Sequence, residues 1–218
     1  MSLAGCTKPP PRAPLGLFTS LPILWREADG IAAQLAGPGK PHWARPVLEE
    51  RRRLVPLDTL LHPAGFDDLL IAQPRPLEPA ENVALDRWVR AGGHLLLFAD
   101  PLLTSESRFA LGDPRRPADT VLLEPILAHW GLALRAGDGA RESAGTGFAV
   151  AAPGMLERLP GAPPDCAIEQ EGLVAQCRIG TGTALIVADA ALLEPAEGPA
   201  AATRARVLRG LLGRAFAR

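Results

Sequence analysis

The stretch FDDLLIAQPRPLEPAENVALDRWVRAGGHLLLFADP, residues 66–101, decides the fold. Asp68–Gln73 is a short apolar run closed by Pro74, the length and boundary of a buried strand. Pro79 suits the first turn of a helix, because its fixed φ is preset and its missing N–H would be unpaired there. That helix runs to Arg90, with Leu85, Trp88 and Val89 as its apolar stripe and Asp86–Arg90 as an i,i+4 ion pair. Gly92-Gly93 stops it. His94–Asp100 is then a continuous apolar strand, the pattern of a parallel sheet covered on both faces.

Working outward, the same alternation continues. Leu15–Ser20 reads as a first buried strand, and Trp25–Leu35 as a helix closed by Gly37 and Pro38. Arg53–Leu57 is a short edge strand, since Pro56 excludes a central one. Leu123, Ile126, Leu127 and Trp130 form another helical stripe, ended by Gly131. Gly147–Ala152, Leu173–Ile179 and Ala184–Asp189 read as later strands. The last helix, Ala201–Phe216, presents Val207, Leu208, Leu211, Leu212 and Phe216 to the core. Strands alternating with helices of this length predict an α/β fold of three layers, a mostly parallel sheet flanked by helices.

Composition narrows the function classes. Hydrophobic residues are 47% and charged residues 22% of 218, a core-forming balance, and no window approaches the roughly 18 apolar residues of a membrane helix. With four Trp, six Phe and no Tyr, the core must come from Leu, Ala, Val and Ile. A net charge of −1 argues against nucleic acid as a partner, and the basic run Arg51-Arg52-Arg53 is offset by Glu49-Glu50. Four scattered histidines with no H-x-x-x-H or C-x-x-C spacing give no metal site and imply no cofactor.

The start of the chain adds a location. Leu3-Ala4-Gly5-Cys6 has the form of a bacterial lipobox, in which the cysteine takes a lipid anchor. A signal needs an apolar stretch of roughly seven to fifteen residues before that point, so the true start is expected upstream of Met1. The Pro-rich segment Thr7–Pro14 is an extended tether. Residues 1–13 thus read as lipobox remnant and tether, and residues 14–218 as one α/β domain. Of the other cysteines, Cys166 faces Cys177 if Glu171-Gly172 makes a two-residue hairpin turn. Directly opposed strand residues are within disulfide reach, and a disulfide implies an oxidising compartment such as a periplasm. Reduced thiols in a cytosolic protein are the other reading.

Residues 66–101 resemble the auxiliary domain of gliding-motility-type ABC transport systems, whose flavodoxin-like fold is similar to that of class I glutamine amidotransferases. The match lies in a strand ending in Gln73-Pro74, a helix closing with Leu85-Asp86-x-Trp88-Val89 and Gly92-Gly93, and a strand ending in Asp100-Pro101. Residues 180–193, GTGTALIVADAALL, resemble that family's last strand, with Thr181 where a Gly-Lys-Gly turn is usual. Catalytic relatives carry a nucleophilic Cys or Ser on a strand-to-helix turn. This chain has Asp100-Pro101 there and no G-x-S-x-G elbow. The resemblance implies a scaffold without amidotransferase chemistry, with an ABC-type transporter or other envelope protein as partner.

In open α/β sheets, ligands lie beyond the carboxyl ends of the strands. That rule selects Ser20, Gln73, Arg75, Asp100, Ser105 and Asp189, with Thr19 and Thr104, a polar set suited to a small polar ligand such as a sugar or carboxylate. The same residues also suit caps and loop charges. A Ser-dependent hydrolase with Ser20 as nucleophile and Asp100 as orienting acid lacks a placed base. His94 begins its strand about 20 Å from Asp100, His129 is expected to pack, partly buried, inside a helix beside Trp130, and His42 and His62 lie in Pro-flanked loops. The favoured expectation is a non-catalytic periplasmic binding or scaffold domain, held to the membrane by lipid on Cys6. A hydrolase and a cytosolic interaction module are the alternatives.

Overall fold

A computed structural model describes residues 12–25, 41–137, 152–162 and 165–217. Cys6 and most of its tether, the helix expected from Trp25 to Leu35 beyond Trp25 itself, and the strand expected at Gly147–Ala152 up to Ala152 lie outside the described residues.

A seven-stranded sheet carries the fold, built on β1 (Pro14–Thr19), β2 (Arg53–Pro56), β3 (Asp68–Ala72), β4 (His94–Phe98), β7 (Cys166–Glu169), β8 (Val174–Ile179) and β9 (Gly182–Val187). The order across it is β2-β1-β3-β4-β9-β8-β7. The first five strands in that order are parallel, and β8 and β7 extend the far edge antiparallel. Counting the parallel strands in chain order gives 2-1-3-4-5, one of the two common doubly wound orders. β3 and all of β4 after His94 are buried, as their unbroken apolar sequence requires of central strands. Pro56 falls on an outermost strand, where a missing ladder donor costs least.

Helices cover both faces. On one lie α2 (Pro79–Arg90) and α3 (Glu124–His129), which bring Leu85, Trp88, Val89, Ile126, Leu127 and the adjoining Trp130 onto Leu69, Ile71, Leu95, Leu97 and Ile186. On the other lie α1 (Ala44–Glu49) and α4 (Gly198–Ala215), packed over Leu15, Leu17, Leu70, Leu96, Phe98, Leu185 and Val187. α2 begins at Pro79 and ends at Arg90, with a capping box between Glu78 and Glu81. Its end presses so closely on β9 that a Cβ on Gly182 would meet the carbonyl oxygens of Val89 and Gly93. Among the described residues no helix is long and apolar enough to cross a membrane.

The hairpin forms in the expected register, Cys166 opposite Cys177 and Ile168 opposite Ala175, and the two cysteines are joined by a disulfide. Its turn has Glu171 at φ 54° and Gly172 at φ 92°, with the Leu173 N–H donating to the Gln170 carbonyl at 3.1 Å. Gln170 is also at positive φ, 53°, Leu173 is helical, and the ladder ends at Glu169 opposite Val174, so the connection is a four-residue loop centred on Glu171-Gly172 where a two-residue turn was expected.

Four further details differ from the sequence reading. A second, two-stranded antiparallel sheet pairs β5 (Leu132–Ala136) with β6 (Gly154–Arg158), a ribbon the sequence did not announce. β9 starts at Gly182 and ends at Val187, because Gly182 and Thr183 already pair with Ile179 and Arg178. On α4 only Leu208, Ala215 and the adjoining Phe216 are fully buried, while Val207, Leu211 and Leu212 are half-covered along its flank. His129, expected to be packed beside Trp130, closes α3 with its side chain 57% exposed and its Nε2 3.5 Å from Asp86.

Candidate functional site

Four of the sequence-selected residues meet at the carboxyl ends of β1, β3, β4 and β9, and they meet each other. The Ser20 hydroxyl donates to the Gln73 carbonyl at 2.5 Å and accepts the Ala118 N–H at 3.0 Å. The Gln73 amide brackets the end of β4, donating to the Asp100 carbonyl at 3.0 Å and accepting the Asp100 N–H at 2.9 Å. It also donates to the Ala118 carbonyl at 2.8 Å. Gln73 holds φ at 42°, a conformation uncommon outside glycine and kept here by those bonds. Asp100 in turn accepts the N–H of Leu102 at 2.9 Å and of Ala190 at 3.2 Å. Asp189 accepts the Leu192 N–H at 3.3 Å, and its Oδ2 is buried with no hydrogen-bond partner. Thr19 does the same locally, donating to the Ala72 carbonyl and accepting the Leu21 N–H.

Gln73, Asp100 and Asp189 are fully buried, so their electrostatics are those of a dry interior. Burial, reinforced by the charge of Asp100, lifts the Asp189 carboxyl from its ordinary 3.8 to about 7. Burial also raises Asp100, against the two N–H groups that favour its charged form.

Arg75 stands apart from this network. It forks onto Glu81 with two 2.8 Å bonds, donates to the Asp58 carbonyl, and lies 5.0 Å over the Phe18 ring. Glu81 is buried and also accepts from the Leu60 and Glu78 N–H groups and the Thr59 hydroxyl. The Arg75 fork, the largest cause, holds it down at about 2. His94 begins β4 at the opposite end from Asp100 and bonds the Thr183 hydroxyl at 2.9 Å.

Ser105 points to a feature the sequence did not show. It lines a cavity of about 500 Å³ beside this network, on the α1/α4 side, a volume typical of small-molecule sites. The walls come from the segments after β1 (Leu21, Trp25), before α1 (His42, Trp43), after β4 (Leu103, Ser105, Glu106, Arg108) and after β9 (Leu193, Glu194, Glu197). All leave or approach the carboxyl edge of the parallel strands, where the doubly wound rule places ligands. Trp25 is 38% exposed, with its ring 5.9 Å from that of Phe109. The Trp43 indole N–H donates to the Glu194 carbonyl at 2.8 Å, tying the start of α1 to the loop after β9. Arg204 donates to the same carbonyl at 2.8 Å and stands 4.0 Å from Glu194 Oε2; Glu194 Oε1 is buried without a partner.

Burial lowers the His42 imidazole from 6.5 to about 4, assisted by the Arg204 charge and opposed by the Leu193 carbonyl. The ring is therefore neutral near pH 7, with Nδ1 accepting the Ala44 N–H at 3.2 Å. Burial raises Glu194, and Arg204 opposes it. Among the described residues no group of three or more His, Cys, Asp and Glu is placed to hold a metal ion.

Residues 50–146 match a family model described as an ABC-type uncharacterized transport system. The match takes in β2, β3, α2, β4, α3 and β5. No curated protein matches the chain in sequence. Among solved structures it is similar to the mmIFT52 N-terminal domain, at 13% identity over 90% of this chain and 96% of that one, with a TM-score of 0.50. A catalytic mutant of Gan42B, a GH42 β-galactosidase from G. stearothermophilus, gives 13% identity and a TM-score of 0.52 over 94% of this chain and 30% of that one. An exo-β-1,4-mannosidase, Op5Man5 from Opitutaceae bacterium strain TAV5, gives 18% identity and a TM-score of 0.46 over 82% of this chain. The chain spans less than a third of the length of either glycosidase. At these identities the likeness concerns the fold alone.

Proposed function

We propose that the chain is a non-catalytic, lipid-anchored domain of the bacterial envelope that faces the periplasm and serves an ABC-type transporter as a binding or scaffold part. The match of residues 50–146 to an ABC-type transport system carries this reading. The Cys166–Cys177 disulfide supports an oxidising compartment. The lipobox-like Leu3–Cys6 followed by a Pro-rich tether supports the anchor. The fold is proposed to be that of the class I glutamine amidotransferases without their nucleophile, Asp100 standing where such enzymes carry it. Ligand contact is assigned to the cavity through Ser105, while Ser20, Gln73, Asp100 and Asp189 tie the strand ends together through backbone hydrogen bonds and Arg75 braces α2. The Ser20 hydroxyl spends its hydrogen bonds on Gln73 and Ala118, which argues against its use as a nucleophile.

The test is affinity purification of the tagged chain from detergent-solubilised membranes of its own host. Recovery with an ATP-binding-cassette subunit and its permease, in near-equal amounts, is the expected result. Recovery of the chain without either subunit, from cells that express both, overturns the transport assignment. An esterase or amidase activity abolished by Ser20→Ala overturns the non-catalytic one.

A further inference from the structure

The parallel strands begin at one edge of the sheet and end at the other, where the cavity lies. The chain enters at the starting edge, through Arg12 and then Pro14. Arg12 is held there, its guanidinium donating to the Glu49 carbonyl at 2.6 Å, and the Ala13 carbonyl accepts the Arg53 N–H at 2.9 Å. Exposed arginines gather on this edge: Arg12, Arg51 and Arg53 at the starts of β1 and β2, and Arg178 where β8 runs back to it. In sequence Glu49-Glu50 offsets the basic run, but in the structure Glu49 pairs with Arg45 and Glu50 with Arg209. Among the described residues Arg51, Arg53 and Arg178 have no carboxylate at ion-pair distance. Arg52 does, serving buried Asp68 and lying over the Phe216 ring. Asp67 and Asp165 are exposed at the same edge and offset part of the charge. The cavity rim has the other sign, with Glu106 and Glu197 exposed against Arg108.

The length of the tether limits which edge can meet a membrane. Cys6 stands six residues before Arg12, a stretch that spans at most about 21 Å fully extended. The way from Arg12 along β1 to Thr19, at the cavity edge, is about 23 Å. A bilayer that holds Cys6 is therefore within reach of the arginine edge, and Cys6 cannot be carried back as far as the cavity edge. An anionic lipid surface attracts each nearby arginine by about fivefold in affinity, and it repels an acidic rim. We infer that the starting edge of the sheet, through Arg12, Arg51, Arg53 and Arg178, lies against an anionic lipid surface, so that the cavity opens away from the membrane. This rests on the reading of Cys6 as the anchor.

The test fixes the full-length chain to a bilayer by chemistry. With Cys166 and Cys177 joined, Cys6 is the free thiol among the three cysteines. It is coupled to maleimide-phosphatidylethanolamine in vesicles of phosphatidylcholine alone or of an equal mixture with phosphatidylglycerol. Benzoylphenylalanine replaces Ala91, exposed at the starting edge, or Ala110, exposed on the segment after β4. Adducts to lipid formed on illumination are measured by mass spectrometry. In the mixture the Ala91 site is expected to give about fivefold more lipid adduct than the Ala110 site. Arg51→Glu, Arg53→Glu and Arg178→Glu together are expected to cut the adduct at the Ala91 site about fivefold or more. High salt is expected to do the same to the parent, which gives the answer if the triple variant fails to fold. Adduct at the Ala110 site equal to or above that at the Ala91 site overturns the orientation. Adduct at the Ala91 site that is the same on phosphatidylcholine alone and indifferent to salt overturns the charged contact. The maleimide stands in for the natural lipid, so either failure is distinct from finding Cys6 unlipidated in the host, which sinks the anchor reading instead.

Discussion

Replacing Asp189 by asparagine makes the chain more stable at alkaline pH. Asp189 is fully buried, receives one N–H from Leu192, and leaves Oδ2 without a partner. Its carboxyl is raised from 3.8 to about 7, chiefly by burial and then by the charge of Asp100. Between those two values the native state holds a proton that the unfolded chain has released. Stability therefore falls as pH rises through that window and levels off above about 7. A displacement of about three units at about 1.4 kcal/mol each is worth on the order of 4 kcal/mol in full. The substituted amide is neutral throughout and keeps the acceptor for Leu192. The stability of the Asp189→Asn variant minus that of the parent is expected to grow by on the order of 2–3 kcal/mol between about pH 5 and about pH 8. The difference is the quantity to measure, because His42 acts in the opposite sense. Its imidazole is lowered from 6.5 to about 4, so it loses stability as pH falls through that window and blunts the slope of the parent. Asp100 and Glu194, both raised, add slope of the same sign as Asp189 and are common to both chains. Urea unfolding followed by circular dichroism gives the gap. A gap that does not change with pH, or a variant that falls behind its parent as pH rises, refutes the reasoning.

Three further outcomes follow from the packing. Glu81→Ala leaves the Leu60 N–H, the Glu78 N–H and the Arg75 fork without their acceptor. It is expected to cost about 3 kcal/mol in chemical denaturation and to remove the loss of stability that the parent shows as pH falls from about 4.5 toward 2, where Glu81 takes up a proton. Gly182→Ala drives a methyl group into the carbonyls of Val89 and Gly93, and is expected to lower the melting temperature sharply or abolish soluble expression, whereas Gly210→Ala meets open space and is expected to be neutral or mildly stabilising. Reducing the Cys166–Cys177 disulfide, which closes a sequence separation of 11, is expected to cost about 2–3 kcal/mol by freeing the unfolded chain, with the far-ultraviolet spectrum retained.

The strand–helix–strand unit from Asp68 to Phe98 was legible because each local signal agrees with the fold. Apolar runs mark the central strands, Pro79 sits at the first helical position, and Gly92-Gly93 ends the helix where the chain must turn under it. The hairpin register was legible because a connection centred on Glu171-Gly172 fixes every opposed pair, Cys166 and Cys177 included, although the loop holds four residues and not two. The β5–β6 ribbon was not, because LALRA and GMLER are short, weakly alternating and far apart in sequence. The strand-end rule brought Ser20, Gln73, Asp100 and Asp189 to one place. A sequence does not say whether a polar side chain there faces solvent or a neighbour's backbone, and these four turn to backbone. The cavity lay further out of reach. Trp25, His42, Trp43, Ser105 and Glu194 come from separate loops with no period to link them, and only their common position at the carboxyl edge unites them.

The measurement that bears most directly on an envelope domain working beside a transporter is the intact mass of the chain expressed from its own locus. It is made on the detergent-extracted membrane fraction, with and without reductant. The account predicts a diacylglyceryl or triacyl adduct on Cys6 and a gain of two hydrogens on reduction, from the Cys166–Cys177 bond. An unlipidated chain in the soluble fraction with three free thiols contradicts it, and removes anchor, compartment and transport role together.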